Sequence, residues 1–84
     1  MEDLTDEDKK TVLVFKLFCK AHRYNKMEEH FYTLEAHHDT LPMLRIQIVI
    51  NHDKRNRYTY ASMFNNKTVC EARDLETFKR RLMQ

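Results

Sequence analysis

The sequence predicts an α+β domain with the order α-α-β-β-β-α: two N-terminal helices, a three-stranded antiparallel sheet and a short C-terminal helix. Three observations carry that expectation. First, Leu44, Ile46, Ile48 and Ile50 fall on one parity and Arg45, Gln47, Val49 and Asn51 on the other, the period of a strand with one buried face. Second, Thr5-Asp6-Glu7-Asp8 and Asn25-Lys26-Met27-Glu28 both set an acid three residues after a capping side chain, the signature of a helix start. Third, Asn65-Asn66 lies between two strand-like runs in a chain without glycine, and asparagine is the other residue that readily accepts the positive φ of a tight hairpin turn.

The elements follow in order. Thr5 caps the first helix, and its acids favour the positive end of the helix dipole. Lys9, Lys16, Lys20 and Arg23 are spaced to form one stripe on this helix, which predicts a largely buried element with a single wet edge ending near Tyr24. Met27, Phe31 and Leu34 have the spacing of a second, amphipathic helix to about His38, stopped by the proline after Leu41. Strands are expected over residues 44–51, 57–64 and 67–73, and Asp74 caps a last helix with Leu75, Phe78 and Leu82 inward.

A two-residue turn at Asn65-Asn66 sets Phe64 opposite Lys67, Ser62 opposite Val69 and Tyr60 opposite Glu71. Asn51 opposite Arg57 sets Ile48 beside Tyr60. The face expected under the helices is then Leu44, Ile46, Ile48, Ile50, Tyr58, Tyr60, Phe64 and Val69. Arg45, Gln47, Asn51, Arg57, Thr59, Ala61, Met63, Thr68 and Cys70 take the other face. A slip of one residue would exchange the two.

The 84 residues are read as a single domain, and at this size a chain buries only about 60–65% of its unfolded surface, so a second copy would add stability. Val49, Ala61, Met63 and Cys70 on the outer face are the expected homodimer seam. No apolar run approaches a membrane span, and the start Met1-Glu2-Asp3-Leu4 is acidic where a secretory signal is cationic, which points to the cytoplasm. Cys19 and Cys70 form no CxxC framework and are read as buried thiols.

The net charge of +2 hides an asymmetry: residues 1–42 hold nine acids and six Lys/Arg, residues 43–84 four acids and nine Lys/Arg. The expected nucleic-acid-binding set is Arg45, Lys54, Arg55, Arg57, Lys79, Arg80 and Arg81, with Arg73 beside it and Lys16, Lys20 and Arg23 as further candidates. Several cations on one surface can hold phosphates, and Asn51, Asn56 and Tyr58 can add hydrogen bonds or stacking. The same cations are equally what a small soluble domain wears outside. His22, His30, His37, His38 and His52 make no HxxxH or HExxH pattern, and Cys19 with His22 gives two ligands where a site needs three or four, so no metal or cofactor is expected. His52 and Lys54 beside a phosphate would suit a nuclease, but no partner for them can be placed, and the chain is read as non-enzymatic.

In type, the cationic hairpin His52-Asp53-Lys54-Arg55-Asn56-Arg57 and tail Lys79-Arg80-Arg81 on a small glycine-free domain resemble the small early proteins of T-even-type phages. Some of these neutralise host defences; the toxin-inhibitory factors directed against ToxN-type endoribonucleases act with RNA. The resemblance implies an inhibitor of a host nuclease or toxin, working in the host cytoplasm, and assigns no residue a role. From residue 26 onward the expected order also resembles double-stranded RNA-binding domains. It departs from them at Asp74-Leu75-Glu76, where the last helix opens with acids.

The function expected from these readings is binding of RNA or another polyanion through the basic hairpin and C-terminal helix. The alternative is a protein–protein inhibitor or adaptor whose cations are incidental.

Overall fold

The computed structural model describes residues 4–83; the acidic start Met1-Glu2-Asp3 and the final Gln84 lie outside the described residues. Within them the chain forms two helices and five strands: α1 (Asp6–Ala21), β1 (Lys26–Glu29), β2 (Thr33–His37), β3 (Leu44–Ile50), β4 (Tyr58–Phe64), β5 (Lys67–Ala72) and α2 (Leu75–Leu82). The strands make one antiparallel meander in the order β1-β2-β3-β4-β5. Both helices pack on one face of it, and the core between is Val12, Phe15 and Cys19 of α1, Phe78 of α2, and Leu34, Ala36, Ile46, Ile48, Ile50, Tyr60 and Ala72 of the sheet. No helix among these residues is long and apolar enough to cross a membrane.

The expected second helix is a correction: residues 26–37 are a β-hairpin, and the order is α-β-β-β-β-β-α where three strands were expected. The reason lies in β3. In a three-stranded sheet it would be an edge strand carrying Ile46, Ile48 and Ile50 beside a row of unpaired backbone groups, an arrangement proteins avoid. Pairing with β2 removes that edge, and Leu34 and Ala36 come to lie opposite Ile48 and Ile46, fully buried. Phe31, read as a core residue of a helix, lies between the two strands and is 70% exposed. The new edge is β1, four residues with three charges, a poor template for further pairing.

α1 starts as expected, with reciprocal bonds between Thr5 and Asp8. It ends at Ala21 in a Schellman arrangement: the Tyr24 amide donates to the Cys19 carbonyl at 2.8 Å and the Arg23 amide to that of Lys20 at 3.3 Å. Arg23 takes φ 68° at the position where glycine is usual, at a cost of about 1–2 kcal/mol. The expectation of a largely buried helix is also corrected. Only Asp8, Val12, Phe15 and Cys19 are buried, a single stripe, while Leu13, Val14 and Leu17 stay 57%, 50% and 59% exposed.

The hairpin of β3 and β4 has the expected register, with Ile48 opposite Tyr60 and Ile50 opposite Tyr58. Asn65 and Asn66 have φ of 51° and 64°, the two positive values of a type I′ turn. Phe64 meets Lys67 as expected, but a bulge then shifts the register so that Ser62 meets Cys70 and Tyr60 meets Ala72. One extra residue turns every following side chain over. Val69, expected inside, is 67% exposed, and Cys70, expected outside, accepts a hydrogen bond from the Ser62 hydroxyl at 3.2 Å on the helix side. Phe64, also expected under the helices, is 46% exposed at the sheet's end.

Candidate functional site

The structure distributes the basic set over separate surfaces. Arg45 lies on the sheet face away from the helices, where Nη1 is 3.9 Å from Glu35 Oε2 and Nη2 donates to Met63 Sδ. Arg57 is turned onto α1, its Nε and Nη2 reaching the two carboxylate oxygens of Asp8 at 3.2 and 2.5 Å, its Nη1 the Asn51 carbonyl at 2.8 Å. Lys54 and Arg55 are exposed together in the loop between β3 and β4 and make no ion pair among the described residues. On α2, Lys79 stands 5.7 Å over the Phe18 ring and 3.4 Å from Glu76, Arg80 reaches Thr77, and Arg81 donates to the Glu71 carbonyl. Arg45 and Lys79 therefore stand on opposite faces of the sheet, and among the described residues Lys54 with Arg55 and Arg80 with Arg81 are neighbouring pairs of the set that meet no carboxylate.

Arg57 belongs to a structural network. The Asp8 carboxylate, 2% exposed, also accepts from the Tyr58 hydroxyl at 2.7 Å and from the Thr5 amide at 3.1 Å. The Arg57 guanidinium, above all, holds the Asp8 carboxyl far below the usual carboxylate range, against the opposing effect of burial. The same contact raises Arg57 further. One carboxylate thus caps α1 and fastens it to the start of β4. In the sequence only its capping role was legible.

Most of the histidines pack against neighbours. His52 meets Tyr32 edge-on at 4.9 Å and His22 lies 4.4 Å from Phe18. His38 Nδ1 accepts from the Thr40 and Leu41 amides, both at 3.2 Å, which leaves Nε2 to carry the proton of the neutral ring. Cys19 has no exposed surface, and burial pushes its thiol up to about 12, the opposite of what a metal-binding thiolate needs. Glu28, His30 and Glu35 bring ligand atoms within 4.8 Å of one another on the first hairpin. His30 lies 3.7 Å from Glu28, and Arg45 and His37 lie 3.9 and 4.0 Å from Glu35, so Glu35 already has the Arg45 guanidinium as a cationic neighbour.

The expected dimer seam is broken up by the same geometry. Cys70 faces the helices, Ala61 is 4% exposed, and Met63 is in contact with Arg45, leaving Val49 half-buried in a row with Gln47 and Arg45.

A groove of about 700 Å³ lies between the helices, lined by Val14, Leu17, Phe18, Ala21, Leu44, Leu75, Leu82 and Met83, with Lys79, His22, His38 and Tyr24 as its charged or titratable members. Phe18 and Phe78 meet edge-on at 6.4 Å beside it, and Tyr24 packs edge-on against His38 at 5.2 Å. Burial, with Cys19 a lesser cause, raises Tyr24, which keeps its hydroxyl a neutral donor. No carboxylate is among the groove's lining residues. The groove was missed in the sequence because Val14 and Leu17 read as core, although their positions fall outside the 8, 12, 15, 19 stripe that meets the sheet. Comparison of the chain with protein-family models, with curated proteins and with solved structures gives no match.

Proposed function

We propose that the protein is a non-enzymatic adaptor or inhibitor that works by seating part of a protein partner in the groove between α1 and α2. The observation that carries this reading is the exposure of Val14 and Leu17, which line that groove, with the exposed Leu13 one turn before Leu17 on the outer face of α1. A short domain with little apolar surface to spare gains from burying such side chains, and leaving them on one continuous strip is the mark of a docking surface. The non-enzymatic part is supported by the groups whose acidity is most shifted: Asp8 is held by Arg57, while Cys19 and Tyr60 are buried in the core. Cytoplasmic action belongs to the same proposal, supported by two free thiols, Cys19 and Cys70. A host nuclease or regulator, the target implied by the phage-type resemblance, is one such partner.

The test is capture of a partner from nuclease-treated lysate by wild-type protein, by Leu17→Glu and by Lys54→Ala/Arg55→Ala, each checked for folding by circular dichroism. Retention by wild type and the loop variant with loss in Leu17→Glu supports the groove. Loss in the loop variant alone, or loss after RNA digestion, overturns it.

The polyanion reading is favoured by Lys54 and Arg55, a pair on an exposed loop that makes no ion pair among the described residues. Two phosphate contacts predict a shallow salt dependence, a log–log slope of about −1.5 to −2, and weak affinity. A slope of −5 or steeper on an RNA probe, flattened in the loop double variant, would restore that reading.

A further inference from the structure

Resting on the groove as docking surface, we infer that its occupant is an acidic amphipathic α-helix of a partner protein. The cover of the sheet makes the first argument. Five strands at about 4.8 Å spacing make a face some 20–24 Å wide, and two helices of about 10 Å side-chain diameter cover it only when packed side by side. Here α1 contacts β3 and sets Phe15 against Tyr60, while α2 lies against β4 and β5. Their outer surfaces diverge into a trough of about 700 Å³ whose floor holds Phe18. A trough walled by two helices receives a third rod, which presents apolar anchors at i, i+3, i+4 and i+7.

The charge pattern makes the second argument and selects the helix. The ionisable lining residues are Lys79, His22, His38 and Tyr24, with no carboxylate among them. Lys10 and Lys20 lie on the same exposed face of α1 as Leu13 and Leu17, three or four residues from them along the helix. Lys79 is thus the cation of the groove's lining, with Lys10 and Lys20 near the exposed leucines on the outer face of α1 and Asp6 and Glu7 one turn before Lys10. Lys79 is held over Phe18 at the groove's wall, and its only carboxylate neighbour among the described residues is Glu76 at 3.4 Å, 82% exposed, a weak solvent-screened pair that a carboxylate flanking the partner's apolar stripe can share or replace. A second copy of this chain is the poorer occupant, since its own α1 would carry Lys10 and Lys20 toward Lys79, and α2 ends in Lys79, Arg80 and Arg81.

The experiment titrates the full chain with three labelled 16-residue peptides: one with leucines at i, i+3, i+4 and i+7 flanked by glutamates, the same with lysines for the glutamates, and the acidic composition in scrambled order. Fluorescence anisotropy gives affinity, and amide chemical-shift changes give location. The acidic helix is expected to bind with shifts at Val14, Leu17, Phe18 and Lys79, about tenfold tighter than the lysine version at low salt. Lys79→Glu should narrow or reverse that preference, and Leu17→Glu should abolish binding.

Equal binding of the scrambled or lysine peptide overturns the inference, as does a shift map on Arg45 and Gln47. Concentration-dependent dimerisation abolished by Leu17→Glu assigns the groove to a second copy, and decanoate binding with no peptide binding assigns it to a small amphiphile; either overturns it too. A lysate partner lost in Leu17→Glu that docks through a basic or extended segment overturns the helix while leaving the groove reading intact. Capture unaffected by Leu17→Glu removes the groove reading itself.

Discussion

At the scale of single residues, the Asp8 carboxylate has more consequence than any cation singled out from the sequence. It receives two bonds from Arg57, one from Tyr58 and one from the Thr5 amide, and it is buried. Asp8→Ala should therefore cost about 2–4 kcal/mol in urea unfolding, through the lost cap and the stranded Arg57. Arg57→Ala should cost a comparable amount, because it leaves the 2% exposed Asp8 carboxylate without its cation and with only the Tyr58 hydroxyl and the Thr5 amide as donors. If Arg57 served only a ligand, its removal would leave stability unchanged.

The same residue sets the acid limb of stability. The folded carboxyl of Asp8 lies below its ordinary value of 3.8, so its contribution is present in full above about pH 5 and is lost as the pH falls through 4 and below. Glu29, paired with Lys16 at 2.5 Å, and Asp74, capping α2, are lowered and act in the same direction. Cys19 runs the other way: burial raises it from 9.0 to about 12, so the fold favours the neutral thiol, and that contribution fades as the pH rises from 9 towards 12. Tyr60, raised from 10.0 to about 12, adds to the alkaline limb. Chemical unfolding from pH 2 to 11 should show a plateau near neutrality. An Asp8→Asn variant should lack most of the fall on the acid side, and an unchanged acid limb would remove Asp8 as its source.

At the scale of elements, legibility followed how local the cause of each element was. The cap of α1, the strand period of β3 and the asparagine turn are decided by neighbours in sequence, and all three were readable there. The first hairpin was not. Met27, Phe31 and Leu34 satisfy a helical spacing, and the strand signal in residues 33–37 rests on Leu34 and the small Ala36 alone. What decides the matter is the edge of β3, a partner ten or more residues away. The bulge at Val69 was invisible for a similar reason, since a pattern with one inserted residue reads like the unbroken pattern slipped by one.

The two assignments of residues 26–38 make different demands on two side chains. In the hairpin, Leu34 is fully buried and Phe31 is 70% exposed. Leu34→Ala should cost about 3 kcal/mol, and Phe31→Ala should stay within about 0.5 kcal/mol of wild type. A helix with Phe31 on its inner face would make both substitutions expensive. Equilibrium unfolding of the two variants decides between them, with comparable losses counting against the hairpin.

At the scale of the whole molecule, what holds the fold together and what is left free can be separated. The buried set draws on α1, α2 and four of the five strands, so stability is pooled across the chain. The positive charge of the second half is by contrast spread over both faces and a loop, and no count of lysines and arginines could reveal that, because it depends on which face each strand presents. The apolar strip on α1 was concealed by its composition: Val12 to Phe18 looks like one core run, although a helix can turn only part of it toward a sheet. Leu13 and Leu17 are the residues this leaves over, and they give the sharpest test of the division. Replacing both with glutamine should change unfolding free energy by no more than about 0.5 kcal/mol, or raise it slightly, because exposed positions contribute little to a core. Partner capture should fall to background in the same variant. A loss of several kcal/mol would show that the strip is part of the core after all. Unchanged stability with unchanged capture would leave the exposed leucines without a role in docking.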